Sequence, residues 1–136
     1  MPKVKGSLIL LEVEDAPGTY YTCAGQDNLD LDRSLTTTDT TTKDSYSHGF
    51  KEYEAELLDW KVKLDGAIEL NDQGFDKLDD AFMNREEISV KIINVNGKQY
   101  TGKGIITSFP ISAPKENAKY TIEIQGTGPL TKTEMI

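Results

Sequence analysis

Between Leu58 and Asp65 apolar and charged residues alternate without a break, Leu58, Trp60, Val62 and Leu64 against Asp59, Lys61, Lys63 and Asp65. Side chains on a strand point to opposite faces in turn, so this spacing predicts a strand with one buried and one solvated face. The same period returns at residues 120–125, where Tyr120, Ile122 and Ile124 interleave with Thr121, Glu123 and Gln125. It returns again at residues 27–32, where Leu29 and Leu31 break a run of Asp and Asn. Near the start, residues 7–13 are mostly apolar, and Asp15, Ala16, Pro17 and Gly18 form a turn signal into a second strand-like run ending at Gly25.

One stretch keeps a different period. Asn71 and Asp72 offer a helix N-cap, Phe75, Leu78 and Phe82 recur at helical spacing, and Asn84 is a terminator, which predicts a helix over about 72–84 with an aromatic stripe for a sheet. Beyond it, residues 88–95 and 98–106 flank Asn96 and Gly97, the pair favoured in a two-residue type I′ hairpin turn. Counting from that turn sets Ile88 against Ile105 but Val90 against Lys103, which predicts a bulge near Gly102 or Gly104. Pro110 and Pro114 bracket a break, and the segment after Gly128 is polar enough to be ordered only by a partner.

The pattern fails altogether over residues 34–49. Six of the seven residues from Thr36 to Thr42 are Thr, and Lys43, Asp44, Ser45, Tyr46, Ser47, His48 and Gly49 follow. β-Branched Thr favours extended backbone, yet the segment carries almost nothing apolar to bury. Its 16 residues exceed the usual connection inside a compact domain. It is therefore expected to project from the domain as a long extended loop. The elements together predict a mainly β fold, a β-sandwich or barrel with one flanking helix, formed by residues 1–136 as a single domain.

Charge narrows the partners. Fifteen Lys and Arg against 23 Asp and Glu leave a net charge of −8, which disfavours specific nucleic-acid binding, because phosphate binding needs Lys or Arg to displace condensed counterions. An acidic wall along which DNA slides without sticking remains compatible, and Glu12, Glu14, Asp59, Asp65 and Glu123 on strand faces are its candidates. The single Cys23 excludes an intrachain disulfide framework and reads as a small buried hydrophobe. The longest apolar run near the start, Leu8 to Leu11, falls short of a signal-peptide core or a membrane span. No membrane association is expected.

Catalytic chemistry finds no foothold. His48, the only histidine, stands in the Thr-rich loop without an acid or cysteine arranged around it, and one His with one Cys cannot make a structural zinc site. Asp27, Asp30 and Asp32 lack the glycine and closing Glu of a calcium loop and fit a solvated strand face. The spaced pairs Gly102 with Gly104 and Gly126 with Gly128 lack the third glycine and the strand-to-helix setting of a phosphate cradle. No enzyme activity, cofactor or metal is expected.

Read in order, Ala24, Gly25 and Gln26, Arg33 and Ser34, Asp39, Thr41, Lys43 and Asp44, Trp60 with Asp65 and Gly66, Ala81 and Phe82, Tyr100 to Lys103 with Ile105 to Phe109, and Gln125 to Leu130 resemble the major tail proteins of long-tailed, non-contractile bacteriophages. The resemblance covers most of the chain. It departs at Cys23, at Ser45 to His48 and at Pro110. It implies a tail-tube fold of two packed β-sheets with a flanking helix, related to the tube-forming proteins of contractile tails and type VI secretion. It further implies six copies per ring, rings stacked around a tape-measure protein, contacts with tail terminator and distal tail proteins, and later passage of DNA. Such a protein resides in the virion tail and is synthesised in the host cytoplasm. Within this reading Ser34, Thr37, Asp39, Thr41, Lys43, Asp44, Tyr46 and Phe50 are the candidate inter-ring or inter-subunit contacts. The rival reading is a monomeric virion-associated or surface-binding β-sandwich module, whose aromatic platform would be Tyr46, Phe50 and Tyr53.

Overall fold

The structure is a computed structural model and describes residues 3–40 and 50–134. After a short 3-10 turn at Gly6–Leu8, the chain forms β1 (Leu10–Ala16), β2 (Thr19–Thr22), β3 (Gln26–Asp39), β4 (Tyr53–Ala67), α1 (Gln73–Met83), β5 (Glu87–Val95), β6 (Lys98–Ser108), β7 (Ile111–Ser112) and β8 (Lys119–Glu134). All pairings are antiparallel, in the order β2-β1-β5-β6-β8-β4-β3, with β7 joined to β8. The fold is thus mainly β with one helix. Where the resemblance implies two packed sheets, these strands belong to one hydrogen-bonded sheet that curls over on itself.

Alternation decides which way each strand faces. Trp60, Val62 and Leu64 of β4, Tyr120, Ile122 and Ile124 of β8, Ile88, Val90 and Ile92 of β5, and Leu11 and Val13 of β1 are buried in one core. Helix α1 closes that core with Leu78 and Ala81. Its Phe75 meets Phe109 edge-on at 5.4 Å and Tyr120 at 5.3 Å between ring centroids. The helix begins as its sequence predicts: Asp72 accepts from Gly74 N at 3.1 Å with one carboxylate oxygen and from Ala24 N at 2.9 Å with the other. One side chain thereby caps the helix and ties it to the turn before β3. At the other end Asn84 stays right-handed and Arg85 takes the left-handed conformation at φ 57°, with Glu86 N donating to Ala81 O at 2.9 Å. This is a Schellman stop one residue later than Asn84 suggests.

The β5–β6 hairpin turns at Asn96 and Gly97, both at positive φ as a type I′ turn demands, but the irregularity lies elsewhere than expected. Ile88 stands opposite Gly104 and Val90 opposite Gly102, and the shift falls between Ile92 and Val95, where Asn94 has φ 66°. Within the hairpin Gly102 and Gly104 are in register and are needed for room, whereas toward β8 the register does shift between Thr101 and Lys103, around Gly102. A Cβ on Gly102 would lie 2.7 Å from Trp60 Cζ2, and one on Gly126 only 2.1 Å from Trp60 Cε2. The indole is seated on bare backbone, and its Nε1 donates to Gly128 O at 3.2 Å. The segment after Gly128 is also no loose tail: β8 runs on to Glu134 along β6, and Lys98 pairs with Glu134 at 2.6 Å.

The curl is closed by one amide. Gln26, first residue of β3, accepts from Leu11 N at 2.9 Å through Oε1 and donates from Nε2 to Leu11 O at 2.7 Å and to Cys23 O at 2.9 Å. A side chain here substitutes for a missing strand, satisfying the backbone of fully buried Leu11 where β2 has ended. Replacing Gln26 with Ala orphans Leu11 N and leaves Leu11 O only its 3.4 Å bond from Cys23 N, and the expected loss is about 1–3 kcal/mol in urea-unfolding stability. An unchanged unfolding midpoint would show that the closure does not depend on this amide.

Candidate functional site

β3 and β4 are much longer than the core they cover. Leu35–Asp39 pairs with Tyr53–Leu58 as a ribbon standing clear of the core, with Leu35 opposite Leu58 and Asp39 opposite Tyr53. The expected long loop over 34–49 is therefore wrong in its first part. Ser34, Thr37 and Asp39 lie in a strand, paired with Asp59, Ala55 and Tyr53. Thr36 replaces one missing ladder bond, its Oγ1 accepting from Leu57 N at 3.0 Å and donating to Leu57 O at 3.3 Å, and Thr38 donates to Glu56. The Thr-rich run works as hydrogen-bonding material for an exposed ribbon. Thr41, Lys43, Asp44, Tyr46 and His48 lie outside the described residues, and Phe50 sits exposed just after them.

The expectation that the arm has nothing apolar to bury holds for its first strand only. Its second strand and base expose Phe50 by 75%, Leu57 by 73% and Leu58 by 78%, with Tyr53 and Leu35 also exposed. At the base, Leu58, Trp60, Tyr100, Pro129 and Leu130 surround a cleft of about 480 Å³. Arg33 lies over the Tyr100 ring at 5.2 Å and donates to its hydroxyl at 3.3 Å. Water does not favour such a surface, and a patch of this kind on a folded domain marks a contact.

The second candidate surface is the outward side of the sheet. Asp59, Asp65 and Glu123 share that face on β4 and β8, with Asp59 and Asp65 six residues apart along β4, whereas Glu12 and Glu14 stand on β1, three strands from β8. Cations share the face: Lys63 is flanked across the strands by Asp30 and Glu123, and Lys61 by Asp32 and Gln125. The carboxylates have local duties. Asp65 accepts from Thr121 at 2.8 Å, Asp59 from Gln125 at 2.6 Å, Glu12 from Thr22 at 3.2 Å and Glu14 from Gly18 N at 3.2 Å. The face is mixed: Lys61 and Lys63 have acids across the strands, whereas Lys103 stands between Ser89 and Thr127. Among the described residues no three His, Cys, Asp or Glu side chains gather as a metal site would need, and no helix is long and apolar enough to cross a membrane.

Residues 3–132 match the family described as phage tail tube protein. The chain belongs to that family. Its tail-tube fold is shared with a subunit from the tail of an empty gene transfer agent particle refined with C6 symmetry, at TM-score 0.84 and 19% identity over 96% of this chain and 99% of that one. It is shared with the SPP1 tail tube at TM-score 0.75 and 14% identity, over 98% and 81%. A chain of the anti-feeding prophage baseplate follows at TM-score 0.69 and 12% identity, over 98% and 97%. No curated relative matches the sequence. A tail tube protein is a structural component of the virion tail, and its working parts are surfaces.

The buried polar groups of this tube subunit serve the fold. Cys23 lies against the start of α1, and burial, with the charge of Asp72 added, pushes its thiol from 9.0 up to about 12. Burial likewise raises the Tyr120 hydroxyl above its ordinary 10.0, followed by the influence of Cys23, Asp72 and Glu69. Both groups hold their proton more tightly folded than unfolded. Their contribution is therefore fully present below pH 9 and is lost as pH rises toward 12. Urea midpoints should stay level up to pH 8.5 or so and fall by pH 11. Cys23→Ala should flatten that slope, and an equal slope in both proteins would remove the thiol from the account.

Proposed function

We propose that this tail tube protein builds its tube from rings of six copies, stacked so that the arm of each subunit bears on a neighbour. The observation that carries the reading is the two-stranded arm, whose Leu35, Tyr53, Leu57 and Leu58 are left exposed by the described residues. The sheet also ends on β3, a strand of 14 residues whose outer edge has no partner strand among the described residues. A neighbouring copy that continues the sheet removes that liability, and closure of a repeated heterologous contact makes a ring. The sixfold gene transfer agent tail supports the copy number. The rings enclose the tape-measure protein, end on tail terminator and distal tail proteins, and later pass DNA. No catalytic step belongs to this role, and the chain is made in the host cytoplasm before it joins the virion.

Residues Ser34, Thr37, Asp39 and Phe50, together with Thr41, Lys43, Asp44 and Tyr46 farther along the arm, are assigned to the contact between subunits or rings. The outward face with Asp59, Asp65 and Glu123 is assigned to the bore, with Glu12 and Glu14 toward its margin. Lys61 and Lys63 are locally offset by Asp30, Asp32 and Glu123, which weakens their hold on phosphate.

Deletion of residues 37–55, with Thr36 joined to Glu56 through Asn-Gly, is expected to leave a barrel with unchanged circular dichroism that forms no rings or tubes in negative-stain micrographs. Normal tubes from that variant would sink the arm's role. Converting Asp30 and Glu123 to Lys leaves Lys63 unopposed. Tubes of this double variant should retain DNA at low salt and release it as salt rises, while wild-type tubes retain none.

A further inference from the structure

The two ends of β4 carry complementary features that one copy cannot bring together. At the arm end is the cleft of Leu58, Trp60, Tyr100, Pro129 and Leu130, about 480 Å³ and walled mainly by carbon. Its one cation, Arg33, is held by the Tyr100 ring and hydroxyl and has no carboxylate partner among the described residues. At the far end, three residues after β4 stops, Leu70 is exposed by 92%, more than any other large apolar residue described. Glu69 precedes it, and Asn71 behind it is in the left-handed conformation at φ 61°, so the turn holds the leucine out ahead of the helix. From Trp60 to Ala67 the strand covers about 23 Å at ~3.3 Å per residue.

Resting on the tube reading, we propose that Leu70 of one copy seats in the Trp60–Tyr100–Leu130 cleft of the copy next along the tube, with its Glu69 facing that copy's Arg33. The cleft takes one aliphatic side chain between two aromatic rings and a proline, and the guanidinium at its rim selects a knob flanked by an acid. The cleft's lining also includes Asp59, whose carboxylate is taken by Gln125 at 2.6 Å, so the charge left for a neighbour is the cation of Arg33, and the knob brings the anion. Knob and hole at opposite ends make a heterologous contact, which extends along an axis when the rotation between copies does not close. Trp60 fits this role because its indole is immobilised on Gly102 and Gly126 and bonded to Gly128 O, leaving a firm wall beside the opening.

The test is cross-linking of assembled tubes. Leu58→Cys and Leu70→Cys are combined in one chain, tubes are grown from concentrated protein and oxidised, and the product is run on a non-reducing gel. Native Cys23 is buried and stays out of the reaction. A ladder of covalent oligomers is expected from the double variant, and monomer from either single variant. As a second measurement, Leu70→Asp should raise the protein concentration needed for assembly about 10- to 100-fold, the loss that follows from uncovering one leucine. Its thermal midpoint should be unchanged, since Leu70 touches no core in the free chain. Arg33→Glu should act like Leu70→Asp, and pairing it with Glu69→Arg should restore assembly. Normal tubes without a ladder, or Leu70→Asp assembling at the wild-type concentration, overturn this contact and leave the tube reading standing. Failure of the wild-type protein to form rings or tubes removes the tube reading itself, and this contact with it.

Discussion

A curled sheet with one apolar face needs its two ends brought together, and here a single side-chain amide does so. Gln26 hydrogen-bonds the backbone of Leu11 on both sides and reaches Cys23 as well, at the point where β2 has run out of residues. Asp72 supports the same corner by holding Ala24 N and the first turn of α1 together. With that corner fixed, β3 leaves the barrel in a defined direction. The arm depends on this, because its placement is set by where β3 starts and by the ladder it keeps with β4.

The opposite corner is organised by volume. Trp60 is the largest inward side chain of β4, and it fits only because Gly102 and Gly126 supply no side chain beneath it. Its ring, with Tyr100 and Leu130, then forms the floor from which arm and C-terminal strand diverge. Core packing and contact surface are thus continuous: the residue that finishes the core also walls the cleft.

Much of this was legible in the sequence, for reasons that differ by element. The period of two in β4 from Trp60 onward and in the first half of β8 follows from a face buried against the core, and α1 shows itself through Asp72 and its aromatic spacing. The arm was legible only as a scarcity of apolar residues in 34–40, where Leu35 is the one exception. Its pairing strand, with Tyr53, Leu57 and Leu58, does not alternate, because neither face of an exposed ribbon meets the core. The hairpin bulge was misplaced for a related reason: Gly102 and Gly104 look like interruptions in a strand, whereas they are room made for Trp60 and Ile124 from other strands. Closure by Gln26 leaves no periodic trace at all. A long-range amide contact has no spacing signature, and the ordered resemblance that includes Gln26 was the only hint of it. Among the acids, the strand faces were read correctly, but sequence could not show that β1 lies three strands from β8.

The placement of the arm at one end of β4 and of the Leu70 turn at the other gives the subunit a direction. In a stack built through the proposed Leu70 contact, arms stand at one terminus and bare leucine turns at the other, so the two termini of the filament present unlike chemistry. A factor that starts growth at one of them has no surface in common with a factor that stops it at the other. Length and orientation can then be set by two separate proteins, without any change in the subunit between them.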